Sequence, residues 1–331
     1  MSIRSRLLAS LAALALVTTA TSALAANAGF TVVQAADPQG GAPITVGIWY
    51  PTDAPAKPMP LGIGDQVAAP GAPLVGDHLP LIVMSHGNGG FFGGHADTAQ
   101  ALAEAGFVVA ALTHTGDNYA DQSRATDMAN RPRQLSVLID YMLKASPMQA
   151  AIDPDRVGAF GFSSGGFTVL VAAGAEPDLK TVAPHCKAHP DFFDCKLTAA
   201  HPPSAEAMKA AWTHDARIKA VVSAAPAMGY SFSKAGLSKV TMPLQLWRAG
   251  NDQILPDPFY ASAVRANLPK APDWHVVPNA GHFDFLTPCN DQGRSTAAAI
   301  CGSAPGFDRA AFHKDFDREV VGFFKANLAR P

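Results

Sequence analysis

Apolar stretches of strand length recur through this chain, and helical segments separate them. LPLIVMSHG (79–87), FVVAALTHT (107–115), IKAVVSAAPA (218–227), MPLQLWRAG (242–250) and WHVVPNA (274–280) are the clearest. A strand that is apolar at nearly every position is buried on both faces, which is the condition inside a parallel sheet. Helical spacing fills the gaps: HADTAQALAEAG at 95–106, a helix over 127–146 with Leu135, Leu138, Ile139 and Leu143 on one side, FYASAVRANL at 259–268, and a last helix near 307–329. Alternating strands and helices predict an α/β fold, a mostly parallel central sheet with helices on both faces. FTVVQAAD (30–37) and ITVGIWYP (44–51), joined by PQGGAP, predict a hairpin ahead of it.

Two segments break the rhythm. Residues 51–80 are rich in Pro and Gly with little periodicity and are expected to form a surface excursion or a pocket wall. Residues 176–216 hold prolines, two cysteines and several histidines and are expected to be an insertion over the sheet edge, acting as a lid near the pocket. The N-terminus reads differently again. Arg4 and Arg6, an apolar run at 7–17, and Ala23-Leu24-Ala25 have the order of a secretory signal peptide, residues 1–25, cleaved after Ala25. The apolar run is too short to span a bilayer, so no stable membrane anchor is expected. Residues 26–331 are then one domain. The formal net charge is −2 and basic residues do not cluster, which argues against nucleic acid and anionic membrane as partners.

Export changes the reading of the four cysteines. Three pairings are possible. Cys186–Cys195 and Cys289–Cys301 are favoured, because each closes a short polar loop. His185, His189, His201 and His214 surround the first pair, but their spacing matches no zinc pattern, and no metal or organic cofactor is expected.

DRVGAFGFSSGGFTVLVAAG carries the chemistry. A strand leads into Gly-x-Ser-x-Gly and a helix leads out, which is the context a nucleophile elbow requires. Gly161 and Gly165 leave room for a tight turn, and Ser163 is expected at its apex. A serine hydroxyl needs a base to become nucleophilic. His282, in the loop after the last strand, is the candidate; His275, inside that strand, is expected to be packed. The imidazole needs a carboxylate to fix its tautomer. Asp252, just past the 242–250 strand, is preferred over Asp284, which is too close in sequence to reach the ring side-on. Developing negative charge on a carbonyl oxygen needs donors aimed at it beforehand. The backbone N–H groups of Ser164 and Asn88 are the candidates, with Gly89 as the alternate for the second. His86 is expected to buttress the SHGNGG loop, and His86, Gly89, His114 and Asn118 are candidate pocket residues.

Together PLIVMSHGNGG, ALAEAGFVVAALTHTGDN, IDPDRVGAFGFSSGG, RAGNDQILP and NAGHFDF resemble the α/β-hydrolase superfamily. Within it they are similar to exported dienelactone-hydrolase-like proteins, themselves similar to platelet-activating-factor acetylhydrolases. The resemblance covers about 30–330. It implies an α/β-hydrolase fold, Ser163 as nucleophile, His282 as base, and Ser164 and Asn88 as oxyanion donors. True dienelactone hydrolases carry a cysteine where this chain has Ser163. The acetylhydrolases take their acid from the strand after the elbow helix, where VVSAAPAMG offers no carboxylate. The functional expectation is a serine esterase acting on a small-molecule or polymeric ester through an acyl-enzyme. Amide cleavage by the same three residues is the enzymatic alternative, and a silent binding module is the non-enzymatic one. The sequence does not speak to oligomeric state.

Overall fold

In the computed structural model, which describes residues 27–329, the apolar runs align side by side as one sheet. The expected signal peptide lies outside the described residues. The strands are β1 (Asn27–Ala35), β2 (Ile44–Thr52), β3 (Lys57–Leu61), β4 (Gly64–Pro70), β5 (Leu79–Ser85), β6 (Val108–Thr113), β7 (Ile152–Phe162), β8 (Ile218–Ala224), β9 (Leu244–Ala249) and β10 (Asp273–Val277). Their order is β10-β9-β8-β7-β5-β6-β2-β1-β4-β3. Strands β5 to β10 pair in parallel, while β2 runs antiparallel to both β6 and β1.

Helices α1 (Ala96–Glu104), α2 (Asn130–Lys144), α3 (Ser164–Ala172), α6 (Ala261–Asn267) and α9 (Arg309–Asn327) cover the sheet, and α4 (Val182–Ala188), α5 (Phe193–Ala200), α7 (Asp291–Thr296) and α8 (Ala298–Cys301) lie in connections. The alternation of Cβ directions along β5 explains its unbroken apolarity. Leu81 and Val83 pack into a core with Leu135, Leu138 and Phe167 from α2 and α3. Ile82 and Met84 belong to a second core with Leu102 of α1 and Phe316, Val320 and Phe324 of α9. Each such fully buried side chain contributes roughly 1.5–3 kcal/mol relative to exposure. Helix α3 is buried along its whole length, which is why its sequence shows no polar stripe.

Of the two expectations for the 51–80 segment, surface excursion or pocket wall, the second holds at Gly62 and Ile63, which line a cavity, and the segment is more regular than its composition suggests. Its middle forms the β3–β4 hairpin, which joins the sheet beside β1. The inward and outward polarity of β4 is inverted at its centre: Gln66 is buried and Val67 is exposed. Gln66 is held inside because its Oε1 accepts from Trp49 Nε1 at 2.6 Å. That exchange, together with two prolines in β3, hides the period-two pattern.

The 176–216 insertion carries α4 and α5, joined by the Cys186–Cys195 disulfide, and Cys289–Cys301 joins α8 to the turn before α7. No helix among the described residues is long and apolar enough to cross a membrane. Cross-linking across 12 residues restricts the unfolded chain by about 3 kcal/mol in the loop-entropy model. Replacing Cys289 and Cys301 together by Ser should therefore lower the unfolding free energy by about 2–3 kcal/mol, read from urea unfolding curves with midpoint and slope both fitted.

Candidate active site

Strand β7 ends at Phe162 and α3 begins at Ser164, so Ser163 alone makes the turn. Its φ of 57° and ψ of −119° lie outside the regions a non-glycine residue ordinarily occupies. Neighbouring backbone enforces this conformation. A Cβ on Gly161 would stand 2.0 Å from the Gly165 carbonyl oxygen, and one on Gly165 would stand 1.9 Å from the Ser85 carbonyl oxygen. Only glycines allow the helix start to press this closely on β7 and β5. The Ser163 N–H donates to Ala224 O at 2.9 Å, and its carbonyl accepts from Phe167 and Ala227. The apex is thus pinned from three sides.

The sheet brings the distant residues to this apex. Asp252 follows β9 and His282 follows β10, and those strands are paired in parallel, so both loops leave the same sheet edge. Two backbone hydrogen bonds lace the loops together, Gly250 N–H to Val277 O and Asn251 N–H to Ala280 O. His282 Nδ1 lies 2.8 Å from Asp252 Oδ2, and Nε2 lies 3.0 Å from Ser163 Oγ. The other Asp252 oxygen accepts the N–H groups of Ile254 and Leu255. A carboxylate so occupied accepts from Nδ1–H and leaves Nε2 free to accept from the serine. All three side chains are largely sequestered from solvent.

Asp284 is tied up elsewhere. It accepts from the Gly281 N–H, Ser303 and Arg309, and its carbonyl accepts from His313 Nε2 at 2.9 Å. It anchors the turn that presents His282. His275 stacks on Trp247 at 3.9 Å within the sheet.

The SHGNGG loop is also held from below. Asp117 forms a buried ion pair with Arg131. Its Oδ1 accepts from Asn88 Nδ2 at 2.8 Å and from the Gly89 N–H at 2.9 Å. Arg131 also donates to His86 O and to Thr168 Oγ1. The Gly89 N–H is committed to Asp117, which corrects the alternate oxyanion donor; Asn88 and Gly89 both line the larger cavity. Ser164 is the first residue of α3, where a helix supplies its N–H no partner of its own.

His86 accepts the His114 N–H at Nε2 and donates from Nδ1 to Gly87 O, a buttressing role. His114 does not line a pocket. It is fully buried, with its ring between Ser85 and Gln134. Asn118 turns inward to His114 O and caps its own turn through Ala120 and Asp121. Neither borders the cavities beside Ser163.

Two cavities border Ser163. One of about 380 Å³ is walled mainly by the 176–216 insertion, together with Ser163 and Ser164. The other, about 720 Å³, is lined by the SHGNGG loop, Phe91, His282 and Phe283, with Ile63 from the β3–β4 turn and Ile300 from α8. Ser163 and Phe193 border both.

Two side-chain groups have metal-ligating types close together. Cys195, beside His185 and Asp194, is already in a disulfide. In the other, Asp97 lies 2.6 Å from His313 Nδ1, and Asp317 accepts from Thr98 at 2.6 Å. His313 donates from Nε2 to the Asp284 carbonyl, and its Nδ1 faces the Asp97 carboxylate. Burial alone would lower its pKa; the Asp97 carboxylate overrides that and raises it. Burial, reinforced by Asp97, pushes Asp317 up to about 7.

Arg131 and His313 were missed by sequence reasoning, though a signal existed. Arg131 precedes Leu135 by four positions and falls on the buried stripe of α2; His313 does the same on α9 relative to Phe316 and Val320. A charged or titratable residue on an apolar stripe needs a buried partner.

Two predictions follow from these burials. Replacing Arg131 by Met leaves Asp117 charged and unpaired, and should cost about 3–5 kcal/mol in urea unfolding. The second concerns acid. Burial holds His95 down to about 4 and holds His86 and His114 well below the ordinary imidazole value. The unfolded chain then binds protons below about 6.5 that the folded chain refuses, so stability rises with pH. The His95 contribution is present above about 6.5 and lost as pH falls toward about 4, at about 1.4 kcal/mol per pH unit. His313 and Asp317, with raised values, act in the opposite direction, so the comparison of wild type with His95→Gln isolates the effect. The variant should show the shallower loss of stability between pH 6.5 and 4.

Comparison with known proteins finds three likenesses. A family model described as PET hydrolase-like matches residues 89–194. The proposed esterase NocK of Nocardia uniformis subsp. tsuyamanensis is 31% identical over 118 residues, 34% of this chain and 33% of that protein. The match therefore spans about a third of the curated relative. A ferulic acid esterase from Streptomyces cinnamoneus superposes with a TM-score of 0.63 at 19% identity, over 94% of this chain and 95% of that one, a likeness of fold. Its sheet order and its strand–Ser163–helix turn give the chain an α/β-hydrolase fold.

Proposed function

We propose that this chain is an exported serine hydrolase that cleaves carboxylic esters through a covalent acyl-enzyme. The observation that carries the reading is the hydrogen-bonded run from Asp252 through His282 to Ser163, at 2.8 and 3.0 Å. With Nδ1–H donated to Asp252, Nε2 accepts the serine proton as Oγ attacks the ester carbonyl. The carbonyl oxygen becomes an oxyanion facing the N–H groups of Ser164 and Asn88. Each such donor is typically worth ~10²–10³ in rate. Collapse of the tetrahedral species breaks the carbon–alkoxy bond, and Nε2–H protonates the departing alcohol. Water then attacks the acyl-enzyme, Nε2 takes its proton, and the acid leaves with Ser163 restored.

The PET hydrolase-like match, NocK and the ferulic acid esterase support an ester as the substrate class. Two disulfides and the N-terminal leader pattern support export. Hydrolysis of p-nitrophenyl acetate tests the reading. Ser163→Ala should lower kcat by roughly 10⁴-fold or more. Asp252→Asn, which spoils the tautomer while keeping the shape, should lower it by about 10³–10⁴-fold. Unchanged rates in either variant would remove that residue from the reaction.

A further inference from the structure

We propose that the 380 Å³ cavity under the disulfide-joined insertion is the acyl pocket, that the 720 Å³ cavity takes the alcohol, and that the enzyme selects neutral, apolar acyl groups longer than acetyl. The proposal rests on the esterase reading above and adds the direction in which an ester lies across Ser163.

The direction follows from where the proton must go. The alkoxy oxygen leaves only as it is protonated by His282 Nε2, so the alcohol side of the ester must extend toward His282. His282 lines the larger cavity and does not line the smaller. Ser163 borders both, so a carbonyl carbon bonded to its Oγ can extend one substituent into each. The acyl substituent is left with the smaller cavity, where Ser164 at the start of α3 is also in the wall.

The chemistry of that wall sets the acyl class. Met128, Leu179, Val182, Leu197, Met228 and Leu255 present aliphatic and thioether surface. Its volume falls in the ~300–1,000 Å³ range of small-molecule sites, more than an acetyl group fills. Two ionisable side chains line it, Asp194 and Tyr230; Asp194, half-buried, accepts from Tyr260 at 2.8 Å. A carboxylate there repels an acyl chain that itself ends in a carboxylate, and no cation lines the cavity to offset it. Phe193, next to Asp194 at the start of α5, borders both cavities and separates the two halves of the substrate. The insertion therefore supplies specificity as well as cover, and Cys186–Cys195 fixes the two helices that form the wall.

The test measures kcat/KM for p-nitrophenyl acetate, hexanoate and the adipate half-ester, whose acyl chain has the length of hexanoate but ends in a carboxylate. Wild type should prefer hexanoate to acetate, and hexanoate to the adipate half-ester by at least tenfold. Ala183→Phe, which fills the cavity from α4, should lower the hexanoate-to-acetate ratio at least tenfold. Leu197→Ala, which enlarges it from α5, should move the preferred chain beyond hexanoate. Ile300→Trp, in the other cavity, should alter discrimination among alcohols in a series of hexanoate esters and leave the acyl ratio as in wild type. The proposal is overturned if Ala183→Phe and Leu197→Ala leave acyl preference unmoved, if Ile300→Trp moves it instead, or if the adipate half-ester equals hexanoate. Loss of acetate turnover in Ser163→Ala is measured alongside. Acetate turnover that survives Ser163→Ala counts against the esterase reading, whereas Ser163-dependent turnover with unmoved acyl ratios counts against the pocket assignment alone.

Discussion

Everything at the active-site edge depends on one close backbone approach, the packing of Gly165 onto the Ser85 carbonyl and of Gly161 onto Gly165. That contact forces Ser163 into a conformation costing on the order of 1–3 kcal/mol. The cost is met by the flanking elements, since β7 sits at the centre of the sheet between β5 and β8 and α3 is wholly buried. The result is a hydroxyl held on rigid secondary structure with almost no freedom to move away from His282. The same approach puts the start of α3 beside the SHGNGG loop, so the two candidate oxyanion donors come from elements already in contact.

Around that point, charge is handled in two distinct ways. Beneath the SHGNGG loop, Arg131 and Asp117 are paired, and they hydrogen-bond onward to His86, Asn88 and Gly89 of the loop and to Thr168 of α3. Behind His282, the pair Asp97–His313 reaches the same turn through the Asp284 carbonyl, and Arg309 reaches it through the Asp284 side chain. Buried pairs are weak sources of stability. Their value here is geometric: each fixes a loop that would otherwise present its donor or base with more freedom, and preorganisation of that kind is where electrostatic catalysis gains most.

The mostly parallel sheet was legible, though not its strand order, because parallel strands buried on both faces are apolar throughout, and the elbow was legible because strand, glycines and helix all demand the same turn. Asp252 and His282 followed from their positions after later strands of that sheet. The β3–β4 hairpin was not legible, since Gln66 points inward to Trp49 while Val67 points out, and period-two reasoning assumes the reverse. His114 and Asn118 read as pocket residues in the sequence because they follow a strand at the active edge. Whether such a residue faces the cavity or the layer beneath depends on Gln134, Ser85 and the path of the loop, none of which is local in sequence. The insertion gave no periodicity because its helices are short and are held by a disulfide more than by an amphipathic stripe.

The account's central claim is that His282 activates Ser163. Intact-protein and peptide mass spectrometry after treatment with an alkyl fluorophosphonate tests it most directly, because only an activated serine displaces fluoride. The account predicts one adduct per chain, on the peptide containing Ser163, formed rapidly in wild type and slowed by orders of magnitude in His282→Ala. No adduct, an adduct on another residue, or equal labelling rates with and without the imidazole would contradict it.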